Sequence, residues 1–347
     1  MSVADPMSPA KLDVSRGGED DRAHQPTRAA IWWTALLERA SLIIPCVMLA
    51  ALLLLYSSMR EGVFTLDELN LDTAAAMTLM LAATGQTIVL LRGGIDLSIG
   101  GMISLGTVLA ATRFGTDPAQ AAAWAVGIVA IGGLVGALNG ALITALRLQP
   151  FLVTLATWSI LSGTAMIILP TDGGSVPEGW AMFGVSTWLG LSSAVWLLAL
   201  LLVFWMWFKR TRLGIAIRAT GSNERSAFLS GVSPLGINVA TYGLSGIFAA
   251  LAALYLTTQT GAGSPTIGKD YILPSVAAAV IGGISLFGGR GGLVGTIIGA
   301  FILTIIGNLV FVLEVSSYWQ PIVSGIILLI AVLASSIAEK SARRSLS

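Results

Sequence analysis

ATGQTIVLLRGGIDLSIGGMISLGTVLAA, residues 83–111, joins two apolar runs through a glycine-rich break that contains one carboxylate, Asp96. A charged group at membrane depth is costly, and it usually faces the interior of a helix bundle or a water-filled path. A membrane helix is interrupted only where protein or water satisfies the freed backbone groups. The segment therefore predicts a hinge or gate that borders a permeation path.

The composition places the chain in the membrane class. Of its 347 residues, 55% are hydrophobic and 11% are charged, whereas about 25% of a soluble protein is charged. The net charge of +1 argues against a nucleic-acid-binding surface. The single cysteine, Cys46, and the single histidine, His24, exclude a disulfide within the chain and a Cys/His metal cluster. No metal site is predicted, and an enzyme is the least favoured class of function.

Ten apolar segments follow a polar N-terminal tail, and each is close to the roughly 17 to 25 residues that cross a bilayer. They are residues 36–56, 73–91, 95–112, 119–145, 151–169, 188–208, 237–257, 271–287, 293–313 and 319–337. The chain is therefore predicted to be an all-α integral membrane protein of about ten transmembrane helices. Residues 31–339 would form the transmembrane domain, between a disordered tail (1–30) and a short C-terminal tail (340–347). The third segment starts inside the break, which leaves open whether it is a complete span.

Basic residues indicate the orientation. If the N-terminus lies inside the cell, Arg60, Arg113 and Lys269 face outward, and the other sixteen of the nineteen lysines and arginines lie inside. Cytoplasmic loops of membrane proteins carry such an excess. Both termini are therefore predicted to be cytoplasmic.

Two similar glycine-rich stretches occur, one within the fourth predicted span and one that leads into the ninth. Their regularly spaced glycines are Gly132, Gly136 and Gly140 in GGLVGALNG, and Gly291, Gly295 and Gly299 in GGLVGTIIG. Glycines four residues apart share one helix face and permit close helix crossing. The two spans run in opposite directions, so the pair predicts an inverted repeat with solute bound between the halves. A chance match in a composition this rich in glycine is the alternative.

The longest predicted cytoplasmic loop, residues 209–238, contains a short helix signal. Asn223 or Ser222 can cap that helix, Glu224 lies near its positive end, and Gly231 can stop it. A short amphipathic helix of this kind suits docking into a groove of a soluble partner. An interfacial helix on membrane lipid headgroups is the alternative. The candidate coupling residues are Arg218, Gly221, Asn223, Glu224, Leu229 and Gly231.

Polar residues near the break are candidates for the transport path. Asp96 has three interpretations: a cap for the helix that follows, a pair with Arg92 one turn earlier, or an acceptor for solute hydroxyl groups. Hydroxyl and amide groups on facing helices suit a neutral polyol, and ordinary interhelical hydrogen bonding is the alternative. The candidate path or gate residues are Gly94, Asp96, Ser98, Asn139, Thr154 and Thr157.

Four sequence segments carry a resemblance to a known family. They are GGIDLSIGG (93–101), NGALI with QPFLVTLAT (within 139–157), ATGSNERSAFLSGV (219–232) and AAAVIGGISLFGGRGGLVGTIIGA (277–300). The chain resembles the permease subunits of bacterial ABC sugar importers of the ribose/xylose/galactose type. The resemblance implies a multi-pass protein of the bacterial inner membrane that pairs with a second permease copy or a paralogue. It also implies a periplasmic solute-binding protein, and a cytoplasmic ABC ATPase that grips the loop at residues 223–231.

The resemblance and the residues together predict a function. The chain would translocate a monosaccharide or similar small polar solute, while ATP and Mg²⁺ are bound by the ATPase. The nearest approach to a nucleotide-binding loop, GSPTIGKD (263–270), has Asp270 where Ser or Thr is required, so the chain is predicted to have no ATPase site and no cofactor of its own.

Two alternatives remain open: a secondary transporter or facilitator, and an ABC permease for a nucleoside or other non-sugar solute. A proton-coupled carrier generally needs several acidic or histidine side chains in its spans, and by sequence only Asp96 qualifies. Departures from the family pattern at Ser162, Ile272 and Pro274 leave the solute open, and Phe228 departs from it in the coupling loop.

Overall fold

The computed structural model describes the backbone of residues 28–314, the side chains of residues 42–314 and five single residues between 319 and 329. The predicted tenth span (319–337) and the predicted tails lie wholly or mostly outside the described residues. The chain divides into two units between residues 40 and 41. The start of the first helix is the described part of the first unit, and every contact below lies within the second.

The described residues are mainly helical. The helices are α1 (Arg28–Met59), α2 (Leu66–Arg92), α3 (Ser98–Arg113), α4 (Pro118–Ala145), α5 (Pro150–Ile168), α6 (Glu178–Val185), α7 (Ser193–Phe208), α8 (Arg212–Ser222), α9 (Glu224–Leu229), α10 (Pro234–Thr260), α11 (Lys269–Ile281) and α12 (Leu293–Val312). A small antiparallel hairpin of β1 (Thr187–Trp188) and β2 (Leu191–Ser192) precedes α7. The predicted all-α membrane class is confirmed.

The number of spans differs from the expectation. Within the described residues, six helices are long and apolar enough to cross a membrane: α1 from Leu42 onward, α2, α4, α5, α10 and α12. The pair α7 and α8, bent by 73° at a short break, would make a seventh. With 16 and 13 residues, α3 and α11 are shorter than the roughly 17 residues needed. The predicted count of about ten is therefore not confirmed.

The second span begins earlier than expected and brings two acidic residues into the bundle. Because α2 starts before the predicted apolar run (73–91), Glu68 and Asp72 belong to it, and both are 7% exposed. Glu68 forms an ion pair with Arg60 at 2.7 Å, and Asp72 accepts a hydrogen bond of 2.8 Å from the amide of Asn308. The expectation that Asp96 is the only acidic group in the spans is wrong. Glu68 lies in the first turn of α2, where a carboxylate is stabilised. Asp72 lies one turn later, and an apolar window detects neither residue.

The central helix is α10, which packs against α4, α2 and α3. The glycines of GGLVGALNG allow α4 to pack directly against the backbone of α10. The close contacts are Gly132 with Gly246, Gly136 with Tyr242 and Gly140 with Asn238. A Cβ atom at any of the three α4 positions would collide with a carbonyl oxygen of α10.

The second glycine stretch packs against the C-terminal end of the short helix α11. In α12, Gly295 lies against Gly282 and Gly299 lies against Ala278, at the end of α11. Gly291 does not share this face, contrary to expectation, because it lies in the connection before α12 begins. The inverted repeat stays a prediction.

Candidate functional site

The break between α2 and α3 is built by its glycines. Gly93 ends α2 in the left-handed conformation, with φ +89°, and its N–H bonds to the carbonyl of Leu90 at 2.9 Å. Glycine adopts this conformation without steric cost. Gly94 follows, and a side chain there would collide with the hydroxyl of Tyr242 in α10. Residues 94–97 are non-helical, so the break separates α2 from α3.

Asp96 lies at the centre of this break and is 1% exposed. Its Oδ1 accepts hydrogen bonds from the Ser98 N–H, at 2.9 Å, and from the Ser98 hydroxyl. Its Oδ2 accepts a 2.7 Å hydrogen bond from the hydroxyl of Ser245 in α10. The carboxylate thus binds the first N–H of α3, one of the donors that a helix start leaves without a partner.

The alternative pairing of Asp96 with Arg92 does not occur. Arg92 forms its ion pair with Glu224 of α9, at 3.1 Å between nitrogen and oxygen. Ser245 was not predicted as a site residue, because a single hydroxyl inside an apolar helix carries no distinguishing signal. Its role appears only when α10 is placed beside the break.

The hydrogen bonds continue from the break into α4 and α5. The Asn139 side-chain amide donates to the Ser98 hydroxyl at 3.1 Å, and the Thr157 hydroxyl donates to Asn139 Oδ1 at 2.6 Å. Thr154 is fully buried beside them and bonds to the carbonyl of Pro150 at 3.0 Å. The structure therefore brings the six candidate path residues together around the break. The connected side chains, called the Asp96 network below, are Asp96, Ser98, Asn139, Thr157 and Ser245.

The Asp96 network is internally satisfied. Both carboxylate oxygens have protein donors, and a buried charge is tolerated only with such partners. The network joins the break to α4, α5 and α10. These hydrogen bonds hold the break in place. Because Asp96 is 1% exposed, a solute hydroxyl could reach the carboxylate only after the surrounding groups moved.

The predicted coupling loop contains two helices, α8 and α9, rather than one. Asn223 caps α9, with its side-chain oxygen accepting from the Ser226 N–H at 2.9 Å. After α9, Gly231 adopts φ +84° and the chain turns toward α10. Phe228 and Leu229 are 61% and 77% exposed, so the outer face of α9 is apolar and uncovered in this chain. In α8, the guanidinium of Arg218 lies 5.9 Å from the centre of the Trp205 ring.

The end of α8 touches the helix that leads into the break. Gly221 lies directly against the carbonyl of Leu91, which also accepts a 2.9 Å hydrogen bond from the N–H of Gly289. Together with the Arg92–Glu224 ion pair, these contacts fasten α8, α9 and the connection between α11 and α12 to the last turn of α2. This meeting point is called the glycine junction below.

The connection at the glycine junction repeats part of the break. Residues 282–286 read GGISL and residues 93–97 read GGIDL, with Ser285 in the place of Asp96. Gly288 of the connection also lies close to the N–H of Gly93. Sequence reasoning did not assign a role to the connection, although the matching letters were a signal that could have found it.

No group of three His, Cys, Asp or Glu side chains that could hold a metal ion occurs among the residues that the structure describes. The polar groups gathered at the break are hydroxyl and amide groups and one carboxylate, and they are hydrogen-bonded to one another. The arrangement can hold a backbone in place and present hydrogen-bonding groups.

Comparisons with known proteins give a consistent set of matches. The model of a family described as "Branched-chain amino acid transport system / permease component" matches residues 73–332. The ribose import permease protein RbsC of Escherichia coli K12 is 35% identical over 306 residues, covering 86% of this chain and 93% of that protein. The D-allose transport system permease protein AlsC of the same organism is 31% identical over 299 residues, covering 84% and 90%. The autoinducer 2 import system permease protein LsrC of Photorhabdus laumondii is 31% identical over 279 residues, covering 79% and 83%. No solved structure matches the chain.

Proposed function

The chain belongs to the family of membrane permease components described for branched-chain amino acid transport systems, and we propose that it is the membrane subunit of an ATP-driven importer for a monosaccharide or a similarly small polar solute. The relatives named for ribose and allose import support this solute class. The relative named for autoinducer 2 import keeps another small polar solute as the second candidate.

One observation carries the mechanism: the exposed helix α9 is fastened to the last turn of α2, immediately before the break. A partner that moves α9 would pull on Arg92 through Glu224. The displacement would reach Gly93, where the glycine backbone permits a change of direction. The break is the element that responds, and the six candidate residues Gly94, Asp96, Ser98, Asn139, Thr154 and Thr157 hold it in its resting position.

The orientation follows from the same assignment. We place α8, α9 and both termini in the cytoplasm, with the opposite end of the bundle in the periplasm. The excess of basic residues on the α8–α9 side supports this placement. The chain would then lie in the inner membrane of a bacterium, with its uncovered apolar side chains in contact with lipid.

Partners supply what the chain lacks. A cytoplasmic ABC ATPase would bind ATP and Mg²⁺ and dock on α9 through Phe228 and Leu229, whose exposure supports a docking role. A periplasmic solute-binding protein would deliver the solute to the opposite end. A second permease copy, or a paralogue, would complete the translocation unit. This chain would itself catalyse no reaction.

The test is reconstitution in proteoliposomes with the ATPase and binding protein encoded by neighbouring genes. We expect uptake of radiolabelled ribose or allose that requires all three components. The uptake should also require ATP on the side of the membrane where the ATPase is bound. Downhill solute movement by the permease alone would overturn the proposal in favour of a facilitator. ATP-driven uptake of a nucleoside with no uptake of either sugar would overturn the solute class alone.

A further inference from the structure

A cavity of about 150 Å³ lies at the end of the bundle opposite α8 and α9. It is placed by α10, which begins just after α9 and extends about 40 Å at 1.5 Å per residue. The cavity lies beside the far end of that helix. Its lining includes Thr107, Asp172, Leu256, Thr260, Ser264 and Ile267, and it is called the Asp172 pocket here. In the proposed orientation it faces the periplasm, where solute arrives.

The walls of the Asp172 pocket are held by defined hydrogen bonds. Gly173 and Gly263 exchange two backbone hydrogen bonds, of 3.0 and 2.8 Å, that join the segment after α5 to the segment after α10. The hydroxyl of Thr107 in α3 donates to the carbonyl of Ser264 at 3.1 Å. Thr107 is 1% exposed, so this anchor is buried. The pocket is therefore a formed feature of three connected segments.

The polar groups at the pocket have free hydrogen-bonding capacity. In the part of the chain that the structure describes, the carboxylate of Asp172 has no ion pair, and neither it nor the hydroxyl of Ser264 has a hydrogen-bond partner. The hydroxyl of Thr260 donates to the carbonyl of Ala262 at 2.9 Å and keeps its own lone pairs available. This differs from the Asp96 network, in which the carboxylate is 1% exposed and both of its oxygens accept hydrogen bonds from protein donors, whereas Asp172 is exposed.

The lining matches one class of ligand. A carboxylate accepts hydrogen bonds from adjacent hydroxyl groups, and a serine hydroxyl both donates and accepts. The side chains of Leu256 and Ile267 offer an apolar surface for the C–H face of a ring. The volume corresponds to about five water molecules of about 30 Å³ each, which is below the roughly 300 Å³ of pockets for drug-sized ligands. An unpaired carboxylate repels anions, so a phosphorylated sugar is disfavoured.

We propose that the Asp172 pocket binds a neutral polyhydroxylated ring of monosaccharide size, and that it holds the solute on the entry side before the break opens. This role rests on the proposed import function. The pocket supplies what the Asp96 network cannot supply in this conformation, namely unoccupied acceptors and donors beside a cavity.

The direct test is protection of an introduced cysteine, which requires no transport. Cys46 is exposed, so the background is Cys46→Ser, and Ser264→Cys places the reactive thiol in the pocket. The permease in proteoliposomes is treated with a small maleimide in the presence of ribose, allose or ribose 5-phosphate. We expect ribose or allose to slow labelling about fivefold or more, and the sugar phosphate to have no effect.

Two controls make the result specific. Ser175→Cys lies three residues from Asp172 and outside the pocket lining, and its labelling should not change with sugar. Adding Asp172→Asn to Ser264→Cys should abolish the protection by the neutral sugar. Absence of protection by both sugars in the first variant, or equal protection with Asp172→Asn, would overturn the pocket assignment.

Uptake by the complete complex then separates the pocket from the import function. With Asp172→Asn we expect the KM for uptake to rise about tenfold, as for a lost hydrogen bond to a charged group, while kcat and the affinity of the binding protein stay unchanged. The matched control is Glu178→Gln, an exposed carboxylate at the start of α6. An unchanged KM in a complex that imports sugar would overturn the pocket alone. A fall in binding-protein affinity would overturn it by assigning Asp172 to the docking surface.

Discussion

The break at residues 93–97 and the connection at residues 282–286 share four of five letters, GGIDL and GGISL, and both interrupt helical structure. They are held in different ways. Asp96 is 1% exposed and is connected through side chains to four helices, α3, α4, α5 and α10. Ser285 is half-buried, and its hydroxyl bonds only locally, accepting from the Phe287 N–H at 3.2 Å. Similar glycine chemistry produces both interruptions. The residue at the fourth position determines whether side-chain hydrogen bonds join the interruption to neighbouring helices, whereas the second interruption is held by the backbone contacts of the glycine junction.

The largest effect should come from removing the carboxylate that makes the difference. Asp96→Ala leaves the Ser98 and Ser245 hydroxyls without their acceptor in a buried site, at a cost on the order of 2–3 kcal/mol. We expect uptake by the reconstituted complex to fall more than tenfold and the melting temperature in detergent to fall by several degrees. Asp96→Asn keeps one acceptor oxygen and should lie between this variant and wild type. Wild-type uptake by Asp96→Ala would mean that the Asp96 network is dispensable.

The next largest effect should come from separating the two interruptions at the glycine junction. A Cβ atom at Gly221 would collide with the carbonyl of Leu91 and crowd the N–H of Gly289, so Gly221→Ala should cost about 1–3 kcal/mol as overpacking. We expect ATP hydrolysis by the complex to continue while solute uptake falls several-fold. Gly127→Ala is the matched control, because nothing lies within 4 Å of a Cβ atom there. Equal transport by the two alanine variants would contradict the role of the junction.

A smaller effect should follow from breaking the ion pair that joins α9 to the last turn of α2, just before the first interruption. Arg92 and Glu224 lie 3.1 Å apart, and Glu224 is largely exposed. Glu224→Lys places two cations together, so we expect a several-fold loss of uptake per ATP hydrolysed. The exchanged double variant, Arg92→Glu with Glu224→Lys, should recover part of that loss. Failure of the exchange to recover any coupling would assign the effect of Glu224→Lys to lost contact with the ATPase instead.

The smallest effect should come from Ser285→Ala in the second interruption. Its hydroxyl makes a local, half-exposed hydrogen bond, and such a substitution is expected to change stability by no more than about 0.5 kcal/mol. Uptake should remain within twofold of wild type. A loss of uptake as large as that of Asp96→Ala would show that side-chain hydrogen bonds are equally important at both interruptions. It would remove the contrast between them.

Much of the break could be predicted from sequence, because its determinants are local. The paired glycines beside a single acidic residue in an apolar run predicted that the helix is interrupted there. The gathering of Asn139 and Thr157 near Asp96 was predicted only as a polar path, and the hydrogen bonds among them depend on how α4 and α5 cross α3. Ser245 could not be predicted, since its importance depends on the angle at which α10 passes the break.

Helix boundaries were the least predictable feature. Glu68 and Asp72 were missed because a hydropathy pattern locates the apolar part of a helix, whereas α2 begins with about two polar turns. Gly291 was placed in a helix because its spacing matched that of Gly295, although the helix starts only after it. The bend between α7 and α8 depends on the short stretch at residues 209–211, whose composition does not distinguish a bend from an ordinary loop.

The Asp96 network has a direction. Thr157 donates to Asn139, Asn139 donates to Ser98, and Ser98 and Ser245 donate to the carboxylate. Donors aligned toward one negative charge polarise each other, so each bond is stronger than it would be alone. The strength of the outermost bond, made by Thr157 of α5, therefore depends on a charge that lies in the break between α2 and α3. A change in the charge of Asp96 would therefore alter the strength of the Thr157–Asn139 hydrogen bond without requiring the backbone of α5 to move.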